Sequence, residues 1–262
     1  SEAAFVAGML VAGQAVNAAG LTVILHLQAA LLVATAIGAS FVPDVTRNDR
    51  VEVHPAGAHL EEIAALLRSP PFRGLLLSAA LVLGSHAMHD AFAVIRWSAA
   101  GIGPGMVSVL WSESVVAEVV VFLALGPAIL SRVAPATAIA IAAAAAVLRW
   151  TVLALTSEVA LLALVEPLHG LTFALFHLSA MRLVARVAPS RLHATALAVH
   201  GTLGIGIATA SLTLLSGRLY ARIGAQGFWV MAALAAAALP VAARLRGRDV
   251  ERASAEPDPA EA

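Results

Sequence analysis

The sequence has no cysteine, no lysine and a single tyrosine in 262 residues. Without cysteine there are no disulfides, no thiol catalysis and no thiolate metal site. Without lysine, all 16 positive charges are arginine, and they cancel against 16 acidic residues, so nothing points to a polyanionic partner. Charge is scarce overall. Charged residues make up 12% of the chain, against about 25% in soluble domains, which is too few to cover a water-soluble globule of this size. What fills the space is apolar: 60% of residues, with a mean hydropathy of +0.90. These values exclude a cytosolic enzyme, a nucleic-acid-binding module and a disordered chain. They point to an all-α, polytopic membrane protein. The run Ala142 to Ala146 reads as compositional bias of the kind a GC-rich bacterial genome produces. Ser1–Ala19 has no basic stretch ahead of its apolar residues and does not read as a signal peptide.

A helix needs about 20 mostly apolar residues to cross a bilayer. Seven stretches qualify: 20–42, 74–97, 105–130, 134–156, 158–181, 194–216 and 223–243. Residues 3–13 are apolar but short, and read as the end of a span that starts upstream. One long polar connection, 44–73, separates the first full span from the other six; within it His59–Leu67 has the pattern of a short amphipathic helix lying on the membrane. The chain therefore divides into 1–43, the linker 44–73, a six-helix unit 74–245 and a polar tail 246–262, expected to be disordered. If the linker is cytoplasmic, Arg47, Arg50, Arg68, Arg73, Arg132, Arg182, Arg186, Arg191, Arg244, Arg246, Arg248 and Arg252 lie inside, and only Arg96, Arg218 and Arg222 outside. The positive-inside rule then predicts a cytoplasmic C-terminus.

Ionisable side chains recur near the centres of these spans: His86, His89, Asp90, Glu113, Glu118, Arg149, Glu166, His169, His177 and His200. Each is costly in hydrocarbon, about 2.5–3.5 kcal/mol on insertion scales, so they must face one another or a water-filled cavity. Glu166, His169, Phe173 and His177 follow one another at helical spacing and form one stripe, and His86 and His89 share a face. Glu118 and Arg149 lie on consecutive antiparallel spans at similar depth and are expected to pair. An apolar setting favours the protonated form of a carboxylate, so such a group can carry a proton. Purely structural alternatives are a static Glu118–Arg149 ion pair, interhelical hydrogen bonding by His169 and His177, a structural His200, and hydration of Glu113 and Asp90. Trp97, Trp111 and Trp229 fit an aromatic belt at the interface, and Trp150, next to Arg149 in the chain, is expected to point elsewhere. Gly201, Gly204 and Gly206 lie inside an apolar span, so they are no phosphate cradle; with Ala208 and Ala210 they suit close helix packing. Pro167 and Gly170 should bend or loosen the helix carrying Glu166 and His169. No metal-binding, cofactor-binding or catalytic motif of a soluble enzyme is present, and the chain is not read as an enzyme.

Several stretches carry a resemblance. They are Leu66-Leu67-Arg68-Ser69-Pro70-Pro71-Phe72; Ser85-His86-Ala87 with Phe92 and Trp97; Leu110-Trp111 with Ala117-Glu118-Val119 and Phe122; Arg149-Trp150; Leu168-His169 with Thr172-Phe173 and His177 to Arg182; and Gly217-Arg218-Leu219-Tyr220 with Gly224 and Phe228-Trp229. Together they resemble the C-terminal part of a major facilitator superfamily transporter, closest to the phenylpropionate-permease-like proton symporters and related to lactose-permease-like ones. The resemblance implies a twelve-span fold, of which this chain holds the end of the fifth span, the sixth, and the whole second half; the missing N-terminal half would be a partner. Two features depart from the pattern. Met88, His89 and Asp90 stand where an aromatic pair is expected, and Gly126–Arg132 nearly lacks the usual glycine- and acid-containing signature.

The resemblance implies a proton symporter for a small organic solute, an aromatic acid or a sugar-like molecule, with lipid, solute and protons as its partners. Glu118 and Glu166 are the candidate proton carriers and Arg149 their counter-charge, or the anchor of a substrate carboxylate. His86, His169, His177, Ser85, Phe173 and Met181 are the candidate substrate-binding residues. The alternative is a truncated, non-transporting remnant or scaffold of the same fold.

Overall fold

The computed structural model describes residues 22–39 and 56–255, with a few scattered positions between 8 and 20. Helix α1 is Thr22–Ala39, within the predicted span 20–42, and α2 is Ala56–Arg68. Then come α3 (Pro70–Ala99), α4 (Pro104–Leu130), α5 (Pro135–Leu155) and α6 (Val159–Val187), each long and apolar enough to cross a membrane. A last run, Ser190–Gly247, also qualifies. It reverses at Gly224, so it supplies two passes: α7, Ser190–Ile223, and α8, Gly227–Ala255. The stub 3–13 and residues 40–55 of the linker region lie outside the fully described residues.

The helix starts follow from the sequence. Proline occupies the first turn of α3, α4 and α5, after Ser69, Gly103 and Ala134 in extended conformation. There it gives up an amide that has no intrahelical partner in any case. Gly101 (φ 85°) and Gly224 (φ 56°) reverse the chain between α3 and α4 and between α7 and α8, a conformation that costs glycine least. The span expected from 74 begins at Pro70. The helix expected over 59–67 runs Ala56–Arg68 and tucks Leu66 into the core. The tail expected to be disordered from 246 instead continues α8 to Ala255, since Arg, Glu and Ala all favour helix.

The bundle is organised around α5 and α8, its most extensively packed pair; α3 lies against α8, α6 against both α4 and α5, and α7 against α3. Ala142, Ala143 and Ala146 of α5 and Ala235 and Ala238 of α8 are fully buried. Small side chains let helix axes approach closely where no hydrophobic effect drives them together. The alanine run thus has a packing role that composition alone concealed. Of the glycines in α7, Gly204 packs on Leu76 and Ala79 of α3, whereas Gly201 and Gly206 meet no other helix.

Regularity is unevenly distributed. Helix α5 is unbroken. Helix α3 tightens to a 3-10 turn at Gly84–His86, and α6 does so at Glu166–Leu168 before widening to a π-helical stretch at Gly170–Leu175. Similar wide turns occupy Val121–Leu125 of α4 and His200–Ile207 of α7. Pro167 lacks the amide a regular α6 would need. Gly170 sits where a Cβ would come 2.6 Å from the Ala117 carbonyl oxygen of α4, so the two helices meet there backbone to backbone. The loosening expected from these two residues is present.

Candidate functional site

The broken helices converge on a cleft of about 400 Å³, within the range that holds a small organic molecule. Each wall follows helical spacing. Helix α3 supplies Leu83, His86 and Asp90, and α4 supplies Trp111, Val115 and Glu118. Helix α6 gives His169 and Phe173, and α7 gives Ile205 and Thr209.

Behind the cleft lies a charge network centred on Arg149, which is fully buried on the regular helix α5. Its Nη2 donates to Glu166 Oε2 at 2.5 Å and its Nη1 donates to His169 Nδ1 at 3.1 Å. The guanidinium also stacks over the Trp150 ring, 4.8 Å from its centroid. Glu166 is fully buried, and its Oε2 accepts a second bond, from Ser114 Oγ at 2.8 Å. A guanidinium can only donate, so His169 Nδ1 must accept, and the ring proton sits on Nε2. That Nε2 lies 3.3 Å from Glu118 Oε2, and the Glu118 side chain is 13% exposed. The result is a chain of partners from the cleft wall inward: Glu118, His169, Arg149, Glu166. Two further rings complete it. His86 is held between Val82 O (3.1 Å) and Thr172 Oγ1 (2.9 Å). His89 lies between Asp90 Oδ1 (3.3 Å) and Glu166 Oε1 (3.2 Å).

The expected Glu118–Arg149 pair does not form among the described residues. Arg149 pairs with Glu166, and Glu118 reaches it only through His169. Matching depth between regular helices favoured Glu118. The tightened turn at Pro167 instead sets Glu166 and His169 against the two terminal nitrogens of the guanidinium. Trp150 does not point elsewhere: besides Arg149 it packs edge-on to His86 at 5.0 Å and donates its indole N–H to Ser85 Oγ at 2.8 Å. Trp97 and Trp111 are not belt residues but walls around His89, at 5.7 and 4.9 Å between ring centroids; Trp229 alone of the three faces outward.

The candidate binding residues divide. His86, His169 and Phe173 line the cleft, with Phe173 stacked on His169 at 5.4 Å. His177 continues the stripe beyond the cleft, between Phe173 and Phe122. Ser85 is buried under Trp150, and Met181 is 38% exposed, away from the cleft. His200 is buried at the start of the wide turn of α7. Ser114 and the bridging position of His89 escaped the sequence. A serine in a span is ordinary, and only the break in α6 brings Glu166 to both of them.

The profile of the MFS_1 like family matches residues 3–231. The chain is 36% identical over 164 residues to a protein of Escherichia coli (strain K12) named probable 3-phenylpropionic acid transporter; the match covers 63% of this chain and 43% of that protein. No solved structure matches the chain. A bundle of broken apolar helices around a buried charge network, matched to this profile over most of its length, places the chain in the MFS_1-like family of the major facilitator superfamily, as a multi-pass membrane protein.

Proposed function

We propose that the chain forms the C-terminal wall of a secondary transporter that couples proton movement to uptake of a small organic solute, of the class of 3-phenylpropionic acid. The observation that carries this is the placement of Glu118: a carboxylate on the cleft, linked by one histidine to a buried Arg149–Glu166 pair. Protonating such a carboxylate removes a charge that, among the described residues, is met by a hydrogen bond from a neutral ring, so its proton state and the occupant of the cleft are linked. Glu118 is the proton carrier at the wall and Arg149 the fixed counter-charge, already engaged by Glu166 and so not free to anchor a substrate carboxylate. His86, His169 and Phe173 contact the solute. The aromatic lining and the 36% identity to the E. coli protein support an aromatic acid as substrate. The distribution of arginines supports a bacterial inner-membrane location with the C-terminus cytoplasmic. A single cysteine at Ala253, the only thiol in these 262 residues, should then resist an impermeant reagent added to whole cells.

Uptake tests the function. The protein is expressed from its full reading frame, and accumulation of radiolabelled 3-phenylpropionic acid in membrane vesicles is followed under an imposed pH gradient. Accumulation should collapse with a protonophore. Glu118→Gln should abolish accumulation yet keep exchange of labelled for unlabelled solute, because exchange needs no net proton release. Accumulation indifferent to the protonophore sinks proton coupling, and Glu118→Gln behaving as wild type removes Glu118 from the role.

A further inference from the structure

His89 is a titratable member of the network that this function leaves without a task. It is buried on α3 and boxed by Trp97, Trp111 and Trp150. Its Nδ1 faces Asp90, whose side chain is 52% exposed on the cleft. Its Nε2 faces two groups at once: Glu166 Oε1 at 3.2 Å and Arg149 Nη2 at 3.4 Å. An ionised carboxylate only accepts hydrogen bonds and a guanidinium only donates them. Nε2 therefore satisfies Glu166 when it carries a proton and Arg149 when it does not. A partner stands ready for either state of the same nitrogen, with no movement of the backbone.

No other group in the network has this double arrangement. His169 is committed to Arg149 on one nitrogen and Glu118 on the other. His86 is held by a carbonyl and a threonine hydroxyl. The charged and titratable groups around His89 come from every helix that touches the cluster: Asp90 and His86 from α3, Arg149 from α5, and Glu166 and His169 from α6. Helix α4 adds Glu113, coupled through charge to Glu166, and α8 brings the uncharged Phe228, stacked on Trp150.

We propose that His89 relays a proton between Asp90, at the cleft, and Glu166, behind it, alongside the carrier Glu118 on the same cleft. The proposal rests on the proton-coupled reading above. In the loading step the O–H bond of a protonated Asp90 breaks and an N–H bond forms at Nδ1, giving an imidazolium that donates to both carboxylates. The Nε2–H bond then breaks and an O–H bond forms at Glu166 Oε1. The bare Nε2 now accepts from Arg149, which has lost a charged partner in Glu166. The reverse sequence returns the proton to the cleft. One proton enters and one leaves the ring on opposite nitrogens, so the imidazole ends neutral.

The test is 15N-histidine NMR of the full-length protein in lipid nanodiscs, with the His89 signals assigned by their loss in His89→Gln. The wild type should show a doubly protonated His89 ring at the acid end of a titration and, at the alkaline end, a ring protonated only on Nε2, the state whose bare Nδ1 can receive from Asp90. Asp90→Asn keeps an acceptor for Nδ1 but cannot hand over a proton, and it alters a half-exposed side chain that should not affect folding. In that variant the doubly protonated state should be lost. A wild-type ring that keeps its proton on Nε2 alone throughout, or an Asp90→Asn spectrum identical to wild type, overturns the relay. Vesicle transport separates this from the function itself. If the relay holds, Asp90→Asn and His89→Gln lose pH-driven accumulation and keep exchange. If the wild type itself never accumulates solute under a pH gradient, the symport reading fails, while the NMR result still decides whether the ring changes its proton state between these two carboxylates.

Discussion

Helices α5 and α6 are neighbours, both apolar enough to span a membrane, yet one is an unbroken rod and the other is interrupted twice. Helix α5 carries alanines that seat it on α8 and holds Arg149 at a fixed depth. Helix α6 gives up regular hydrogen bonding over Glu166–Leu168 and Gly170–Leu175, the turns that present Glu166, His169 and Phe173. Irregular backbone survives in a membrane only where protein or a cavity lines it. The difference teaches a division of labour. The rigid helix supplies a charge that stays put, and the broken helix supplies the groups that surround it and reach the cleft.

That division can be broken at several points. The largest effect is expected from neutralising one half of the pair that joins the two helices. Arg149→Gln or Glu166→Gln alone strands a buried charge, at a typical cost of about 3–5 kcal/mol. Folded yield and thermal midpoint in detergent should fall sharply for each, and the double variant should recover much of the loss. Equal stability of the singles and the wild type would show that the pair does not anchor α6 to α5.

Next comes the contact of α6 with α4. Gly170→Ala places a Cβ against the Ala117 backbone, and overpacking of this kind costs about 1–3 kcal/mol. Gly201→Ala, which meets nothing within 4 Å, is the control and should change the thermal midpoint little. A Gly170→Ala variant as stable as that control would mean that α4 and α6 do not meet at this point.

A somewhat smaller loss is expected on the α5 side. Ser85→Ala removes the acceptor of the Trp150 indole, and leaving a buried donor unpaired costs about 1–3 kcal/mol. Restoring an acceptor with Ser85→Thr should regain part of it, as read from the same thermal melts. The smallest effect belongs to the rim. Arg191 donates to Glu62 at 2.9 Å but is itself largely exposed, so Arg191→Ala should cost no more than about 1 kcal/mol. A larger drop would show that α2 is clamped to α7 by charge and not by Leu66.

Much of the fold was legible because its signals are periodic or punctuated. Apolar run length predicted the spans, and prolines at 70, 104 and 135 mark three helix starts. Pro167 and Gly170 marked the break in α6. The site was legible as a set of costly residues but not as a set of pairs. Pairing depends on axial register, and a 3-10 turn followed by a wide one displaces register by amounts that spacing in the sequence does not carry. Hence Glu118 was matched to Arg149, while Glu166 holds it. Trp150 was misjudged for a related reason: adjacent residues diverge by about 100° around a helix, yet a long guanidinium curls back over the ring beside it. The alanine run hid its role because composition and close packing leave the same trace in a sequence.

The left-handed glycine at 224 has a consequence for how this protein can vary. Its φ of 56° lies where any side chain pays a steric penalty, and a Cβ there would meet no neighbour, so the constraint is on chirality and not on room. Three residues on, Gly227 has an ordinary negative φ, and a Cβ there would press on the end of the buried Met88 side chain and lie 3.4 Å from Leu219 Cβ. A combinatorial library randomised over this hairpin should therefore return glycine alone in the column of residue 224, because its ψ of −133° lies outside the left-handed helical region that asparagine tolerates. The column of residue 227 should admit alanine ahead of any larger residue, since room there and not chirality sets the limit. The two glycines look alike in the sequence, and selection would tell them apart.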